Sequence, residues 1–253
     1  IYREIQNDLG IPLVNENNIS QILSDERINR FKKLIDEKFS DETLVELLTY
    51  FENRNDNKIF EMVTDNATVP TIFEYILGII WYKISNYAGN ILEFMNLSLE
   101  ADLLPKTHAI GGDADIVYEY EETAYYPKHS MLIEATLMDE STQRRGEMEP
   151  VSRHLGNYIL NTGNNAYCTF ISPYLDINVL SHFRSLKNSG YYNPQDYTQH
   201  VESLKIVPLK TKELKTIIQK GIKYKDIYKV FENAYQANTS LPNWYKNELV
   251  VNF

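Results

Sequence analysis

Two stretches decide how this chain folds: Asp113-Ala114-Asp115-Ile116-Val117-Tyr118-Glu119-Tyr120 and Met131-Leu132-Ile133-Glu134-Ala135-Thr136-Leu137-Met138. Both are short and rich in β-branched and aromatic residues. Gly111-Gly112 precedes the first and Pro127 precedes the second, so strands are expected over Ala114–Tyr120 and Met131–Met138, joined as a hairpin. Side chains alternate faces along a strand, which puts Glu134 on the face of Leu132 and Thr136 and leaves Ile133, Ala135 and Leu137 on the other. Asp115 opens the first strand, and a hairpin of this length brings it beside Glu134.

Working outward, the helical period returns from Val151 through Leu155 and Tyr158 to Leu160, and Ala166–Ser172 (AYCTFIS) reads as a further strand. Leu204–Leu209 is expected as an edge strand, because Pro208 has no N–H for a central ladder, and helices are expected over Thr211–Gln219, Lys225–Tyr235 and Asn243–Leu249. Residues 187–200 read as a loop. Towards the N-terminus, Pro70 suits a first helical turn, and the segment from Ile72 to Ile84 is apolar nearly all round. Glu74 lies inside that segment, and a buried acid needs a cation, a metal or a hydrogen-bond partner; a structural ion pair is the plainest answer. Between Asn18 and Phe51 two further helices are expected, the second starting after Ser40 with Asp41 and Glu42 near its positive end. The whole is α/β, a mixed central sheet flanked by helices, with a helical linker or subdomain over residues 1–63 and the main domain over 64–253.

Composition narrows the function. The 253 residues carry 35 acidic and 25 basic side chains and one cysteine, Cys168, so an intrachain disulfide and a multi-thiolate zinc site are both excluded. A reducing compartment follows as the simpler assumption, and the cytoplasm as the expected location. Cys168 lies in an apolar strand and is expected to be a core filler. No apolar run reaches the 18 or so residues of a membrane span, so no membrane partner is expected. A start at Ile1, with neither Met nor a signal peptide, reads as an excised piece of something longer. The net charge of −10 argues against nucleic acid on average, but residues 1–150 hold 13 basic and 28 acidic groups while residues 151–253 hold 12 and 7. Lys205, Lys210, Lys212, Lys215, Lys220, Lys223, Lys225 and Lys229 concentrate this basic charge near the end, either as a solvated surface or as phosphate contacts.

The paired acids carry the chemistry. Like charges at 4 Å repel by about 4 kcal/mol at an effective dielectric near 20, which either raises one pKa or recruits a cation. Oxygen ligands without clustered His or Cys favour Mg²⁺, with Mn²⁺ as a substitute, and Mg²⁺ commonly works with few carboxylates and with phosphate oxygens of the substrate. Phosphodiester hydrolysis is the reaction this suits best. Paired acids also serve glycosidases, but the chain has only Trp81 and Trp244 and no cluster of sugar platforms.

With Asp115 opening one strand and Glu134 in the next, the arrangement resembles the PD-(D/E)xK nuclease core. The longer run VPTIFEYILGIIWYKIS (69–85), GGDADIV, MLIEATL and TQRRGEMEPVSRHL is similar to the cleavage domain of AlwI-like type IIS restriction endonucleases and their strand-nicking relatives. The resemblance covers about Val69 to Ser172. It implies a PD-(D/E)xK restriction-endonuclease-like core and a Mg²⁺-dependent DNA endonuclease of a restriction-modification system. It further implies Asp115 and Glu134 as metal-binding acids with the carbonyl of Ala135, and Glu74 and Glu147 as further acids of the site. Thr136 departs from the pattern, since it stands where a lysine usually orients or activates water. Either a second metal is drawn in, or Gln143, Arg145 or another side chain positions the nucleophile. Asp113 competes with Asp115, which is preferred because it adjoins Ile116 and Val117. Arg153 is a candidate for the scissile phosphate or a surface arginine, and His154 for ordering a water or an acid or for a plain hydrogen bond.

The resemblance also implies that a separate N-terminal recognition domain, absent from this chain, reads the double-stranded DNA. One active site cuts one strand, so double-strand cleavage needs a second nuclease domain, from a homodimer or a partner subunit. The alternative is a catalytically inactive DNA-binding or dimerisation module of the same fold, for which Thr136 is the strongest argument. A third is a nuclease of transposition or repair with the same core.

Overall fold

The structure is a computed structural model, and it describes residues 16–108 and 113–253, apart from the side chains of residues 16–18 and 108. Gly111-Gly112 lies outside the described residues. The chain divides into two compact units, residues 1–40 and 41–253. Helix α1 (Glu16–Lys38) belongs to the first, and everything below to the second.

A four-stranded sheet organises the second unit, in the order β3 (Ile116–Tyr120), β4 (His129–Ala135), β5 (Ala166–Ser172), β8 (Ile206–Lys210). Strands β3 and β4 are antiparallel, with Ile116 opposite Ile133, whereas β4–β5 and β5–β8 are parallel. The expected mixed sheet is present, with β8 and its Pro208 on an edge. Strand β4 ends at Ala135, short of the expected Met138, although the Thr136 N–H still donates to the Ile171 carbonyl at 3.1 Å. Asp115 stands one residue ahead of β3, where its carbonyl accepts from the Asn96 N–H at 2.9 Å.

Helices cover both faces. Before the sheet come α2 (Asp41–Asn53), α3 (Asp56–Met62), α4 (Val69–Ile84) and the short α5 (Ile91–Phe94), followed by a small hairpin, β1 (Leu97–Leu99) with β2 (Pro105–His108). Helix α4 begins as expected, with Thr68 as N-cap and Pro70 in its first turn, and all its residues except Pro70, Glu74 and Lys83 are buried. Lys83 pairs with Asp41 at 2.6 Å. Helix α4 lies against β4, and the sheet face it covers carries Tyr118 and Tyr120. Helix α10 (Tyr224–Gln236) shares that face: Tyr224 stacks on Tyr120 with centroids 3.7 Å apart, and His129 lies among the same rings.

The opposite face carries Leu132, Cys168, Phe170 and Ile206 and is covered by α7 (Met148–Thr162) and α8 (Ile177–Ser189). Cys168 is fully buried there, a core filler as expected. Helix α6 (Glu140–Gly146) leads into α7, while α9 (Thr211–Lys220) and α10 follow β8. The chain closes with α11 (Leu241–Trp244), a π-helical turn (Tyr245–Leu249) and a 3₁₀ turn (Val250–Asn252), in place of the single helix expected over Asn243–Leu249. Residues 187–200 are not a loop. They finish α8 and form the hairpin β6 (Tyr191–Asn193) with β7 (Asp196–Val201), which packs on α7. Tyr191 is the anchor: its ring lies over Gly156, and its hydroxyl donates to Asn157 at 3.0 Å.

Candidate active site

The antiparallel ladder ends at Ile116–Ile133, and extending its register by one residue sets Asp115 opposite Glu134, where β3 and β4 begin to part. Asp115 is pinned there: its Oδ2 accepts the Ala135 N–H at 2.8 Å. Glu134 is buried inside an apolar strand because its alternate neighbours, Leu132 and Thr136, face α7 with it. Across that gap α7 supplies His154, whose Nδ1 shares a hydrogen bond of 2.8 Å with Glu134 Oε1. Glu147 stands at the junction of α6 and α7, close enough to the Thr136 hydroxyl for that hydroxyl to favour its charged form. Glu74 comes from α4 and is close enough for its charge to act on Glu134 and for that of Asp115 to act on it.

Burial and mutual repulsion dominate the electrostatics. Loss of water first, then the Asp115 charge, push Glu74 up to about 8. Asp115 is likewise pushed up to about 8 by burial and by Glu134, against the lowering effect of the Ala135 N–H. Burial, then Glu147 and Glu74, hold the Glu134 carboxyl well above its ordinary range, with Arg153 countering them. Glu147 is raised by burial too, and the Thr136 hydroxyl and His154 offset part of that. His154 is lowered by burial and by Arg153, so its ring favours the neutral form. Four acids therefore share one partly buried region, and none of the side chains gathered with them is a lysine.

The sequence-derived candidates separate into those the fold gathers and those it does not. Asp115, Glu134, Glu147, Thr136, His154 and the backbone of Ala135 come together, with Glu74 approaching from the opposite helix layer. Among the described residues no ion-pair partner stands beside Glu74, in contrast with the structural pair that the sequence alone makes plainest. Arg153 is on α7 near Glu134 but donates its Nε to Glu149 at 2.9 Å. Asp113 is exposed and borders a cavity of about 450 Å³ that His154, Asn157 and Asn96 also line. Gln143 is not in the cluster: it is fully buried, and its Nε2 donates to the Met138 carbonyl, Ser172 Oγ and the Tyr174 carbonyl at 3.1, 2.9 and 2.7 Å. With Oε1 accepting from the Asp176 N–H at 3.3 Å, its amide has no group left for a water nucleophile. Arg145 is exposed on α6. The Ala135 N–H contact is the feature no sequence pattern signals, because it depends on Asp115 standing just outside the ladder.

A hard-oxygen donor set with unrelieved repulsion is what a divalent cation suits. Among the described residues no three His, Cys, Asp or Glu side chains are placed to enclose one ion, so the pair Asp115 and Glu134 is the unit to consider. Two carboxylates fit Mg²⁺, which keeps several water or phosphate ligands and rarely uses an all-protein cage.

The family described as AlwI restriction endonuclease matches residues 1–217. Among solved structures the chain is similar to the small subunit (R.BspD6I2) of the heterodimeric restriction endonuclease R.BspD6I, at 21% identity and a TM-score of 0.54, over 82% of this chain and 96% of that one. At that identity the likeness speaks for the fold. No curated protein matches the chain.

Proposed function

The chain belongs to the AlwI restriction endonuclease family, and from that premise we propose that its carboxylate cluster is the centre of a Mg²⁺-dependent DNA endonuclease, the cleavage part of a type IIS restriction or nicking enzyme. The observation that carries the proposal is the register-matched pair Asp115 and Glu134, both held far above ordinary carboxylate pKa values, with Asp115 tied to the Ala135 N–H. Asp115 and Glu134 would hold the metal together with the Ala135 carbonyl, and Glu74 and Glu147 complete the acidic surround. Bound there, Mg²⁺ supplies an activated water and neutralises charge on the phosphate.

The chain's own residues orient and protect that centre. The Ala135 N–H fixes one Asp115 oxygen and leaves the other free to face substrate. His154 holds the Glu134 carboxylate in one rotamer, and the Thr136 hydroxyl lies close enough to Glu147 to favour its charged form. Thr136 provides no positive charge, so Arg153 is the side chain on α7 able to reach a phosphate oxygen, by leaving its exposed contact with Glu149. One such centre cuts one strand. The structural neighbour is one subunit of a heterodimer, and by analogy we propose that this chain works beside a second subunit, or a second copy, for double-strand cleavage, with a recognition domain elsewhere reading the sequence.

Thr136 in place of a lysine supports a second reading, an inactive DNA-binding or dimerisation module. Calorimetric titration with Mn²⁺ separates the two. A nuclease centre binds Mn²⁺ and loses that binding in Asp115→Asn; heats that are absent, or unchanged by Asp115→Asn, favour the inactive module.

A further inference from the structure

The lysine-rich end of the chain is dispersed by the fold. Lys205 is drawn to Asn165 and Tyr167, Lys220 to the Phe253 carbonyl, and Lys225 to the ring of Tyr125. Three members of the run, Lys210, Lys212 and Lys215, converge on a groove of about 570 Å³ between α2 and α9, with Thr49, Asn53 and Gln219 among its other walls. Glu52 is the single acid among the described residues that line it. It accepts from Lys215 Nζ at 2.5 Å and Thr211 Oγ1 at 2.6 Å, which leaves the lining with an excess of positive charge in a chain of net charge −10.

The position of this groove gives it meaning. Thr136 bonds to Ile171, Ser172 pairs with Lys210, and so the ends of β4, β5 and β8 form one edge of the sheet. Neighbouring strands are about 4.8 Å apart, which sets Lys210 about 10 Å across that edge from the acid-bearing end of β4. That span corresponds to roughly three nucleotides of rise along one DNA strand, at about 3.4 Å each. The ground between is bridged from the same side: Arg54 Nη1 donates to the Leu137 carbonyl at 3.3 Å, and the Tyr174 hydroxyl donates to the Glu52 carbonyl at 2.9 Å. Arg54 and Lys212 are both exposed. Arg54 also pairs with Asp56 at 3.8 Å, so the ground from the carboxylates to the groove carries Arg54, that one acid and neutral hydrogen-bonding groups before the lysines begin, which suits a phosphodiester backbone and no apolar ligand.

We propose that the α2–α9 groove is the phosphate track for the DNA strand flanking the cut, with Lys212 and Lys210 as its main contacts and Arg54 joining it to the acidic centre. The inference rests on the DNA-cleaving reading above and adds where the strand lies.

The test measures binding of a fluorescent duplex by anisotropy in EDTA across a salt series, so that it does not depend on cleavage. Three proteins are compared: the unaltered chain, Lys210→Gln/Lys212→Gln, and Lys128→Gln, which lies at the opposite end of β4 and pairs with Glu121. Thermal melting confirms the fold of each, and Lys212→Gln alone replaces the double variant if that melts early. The double variant should bind about ten-fold more weakly at low salt, with the slope of log K against log salt reduced by about 1–2, while Lys128→Gln matches the unaltered chain. Equal affinity and slope in all three, with the unaltered chain still binding and nicking DNA, would overturn the groove and leave the nuclease reading standing. An unaltered chain that binds no DNA at any salt would overturn both.

Discussion

Asp115 and Gln143 show how far a single residue's role depends on its surroundings. Both are polar residues near the acidic centre in sequence, yet Asp115 has one oxygen tied and one free, while Gln143 has every amide group engaged. Glu134 is legible from alternation, since an acid inside MLIEATL sits at a position that packing would fill with an apolar side chain, and the expected hairpin sets Asp115 beside it. The role of Gln143 is not, because its partners Ser172, Tyr174 and Asp176 are about thirty residues away in sequence. Gln143→Ala removes the partner of the Met138 and Tyr174 carbonyls, the Ser172 hydroxyl and the Asp176 N–H, and should cost about 2–4 kcal/mol of stability. Denaturant unfolding checks this; a loss below about 0.5 kcal/mol would mean that the site relaxes or admits water. His129 behaves differently. Its Nδ1–H donates to the Pro127 carbonyl and its Nε2 accepts from the Tyr224 hydroxyl, and burial lowers its pKa. The unfolded imidazole then takes up its proton at a higher pH than the folded one, so the contribution of His129 to stability falls as pH drops below about 6.5. The buried carboxyls Glu74, Asp115 and Glu134, raised in the folded state, act in the opposite sense, so the His129 contribution is read as a difference: between about pH 7.5 and 5.5 the melting temperature of His129→Gln should gain on that of the unaltered chain as pH falls, and a constant offset would contradict it.

At the scale of elements, periodicity identifies what is buried on all sides or on one. Helix α4 and strand β5 are legible because nearly every residue of each is apolar and buried. The hairpin β6–β7 is not, because its residues are mostly polar and exposed, and its place depends on Tyr191 meeting a glycine on α7. Helix α8 does carry a helical pattern, Val179, Leu180, Phe183 and Leu186, after the N-cap Asp176, so its signal lies in the sequence itself. A Cβ on Gly156 would collide with the Tyr191 ring. Gly156→Ala should therefore lift the hairpin from α7 at a cost of about 1–3 kcal/mol. Hydrogen exchange would register the change as lost protection across residues 191–201, whereas unchanged protection would mean the ring simply turns aside.

At the scale of the whole molecule, the basic run near the end of the chain is dispersed by the fold of residues 41–253. Much of the basic run is used within the fold, and the lysines left together are those beside the sheet edge that bears the acids. Composition shows an excess of lysine near the end of the chain, but only the parallel order β4-β5-β8 brings Lys210 to the same edge as Glu134. The sheet therefore sets an acidic centre and a basic groove side by side, an arrangement suited to holding a polyanion and cutting it. The most direct measurement is cleavage of supercoiled plasmid at micromolar protein and low salt, with Mg²⁺, Mn²⁺ or EDTA, beside a folded Glu134→Ala variant. Metal-dependent conversion to nicked circles, lost in Glu134→Ala, is the predicted result; nicking that persists in EDTA or in the folded variant would contradict the assignment of the carboxylate centre.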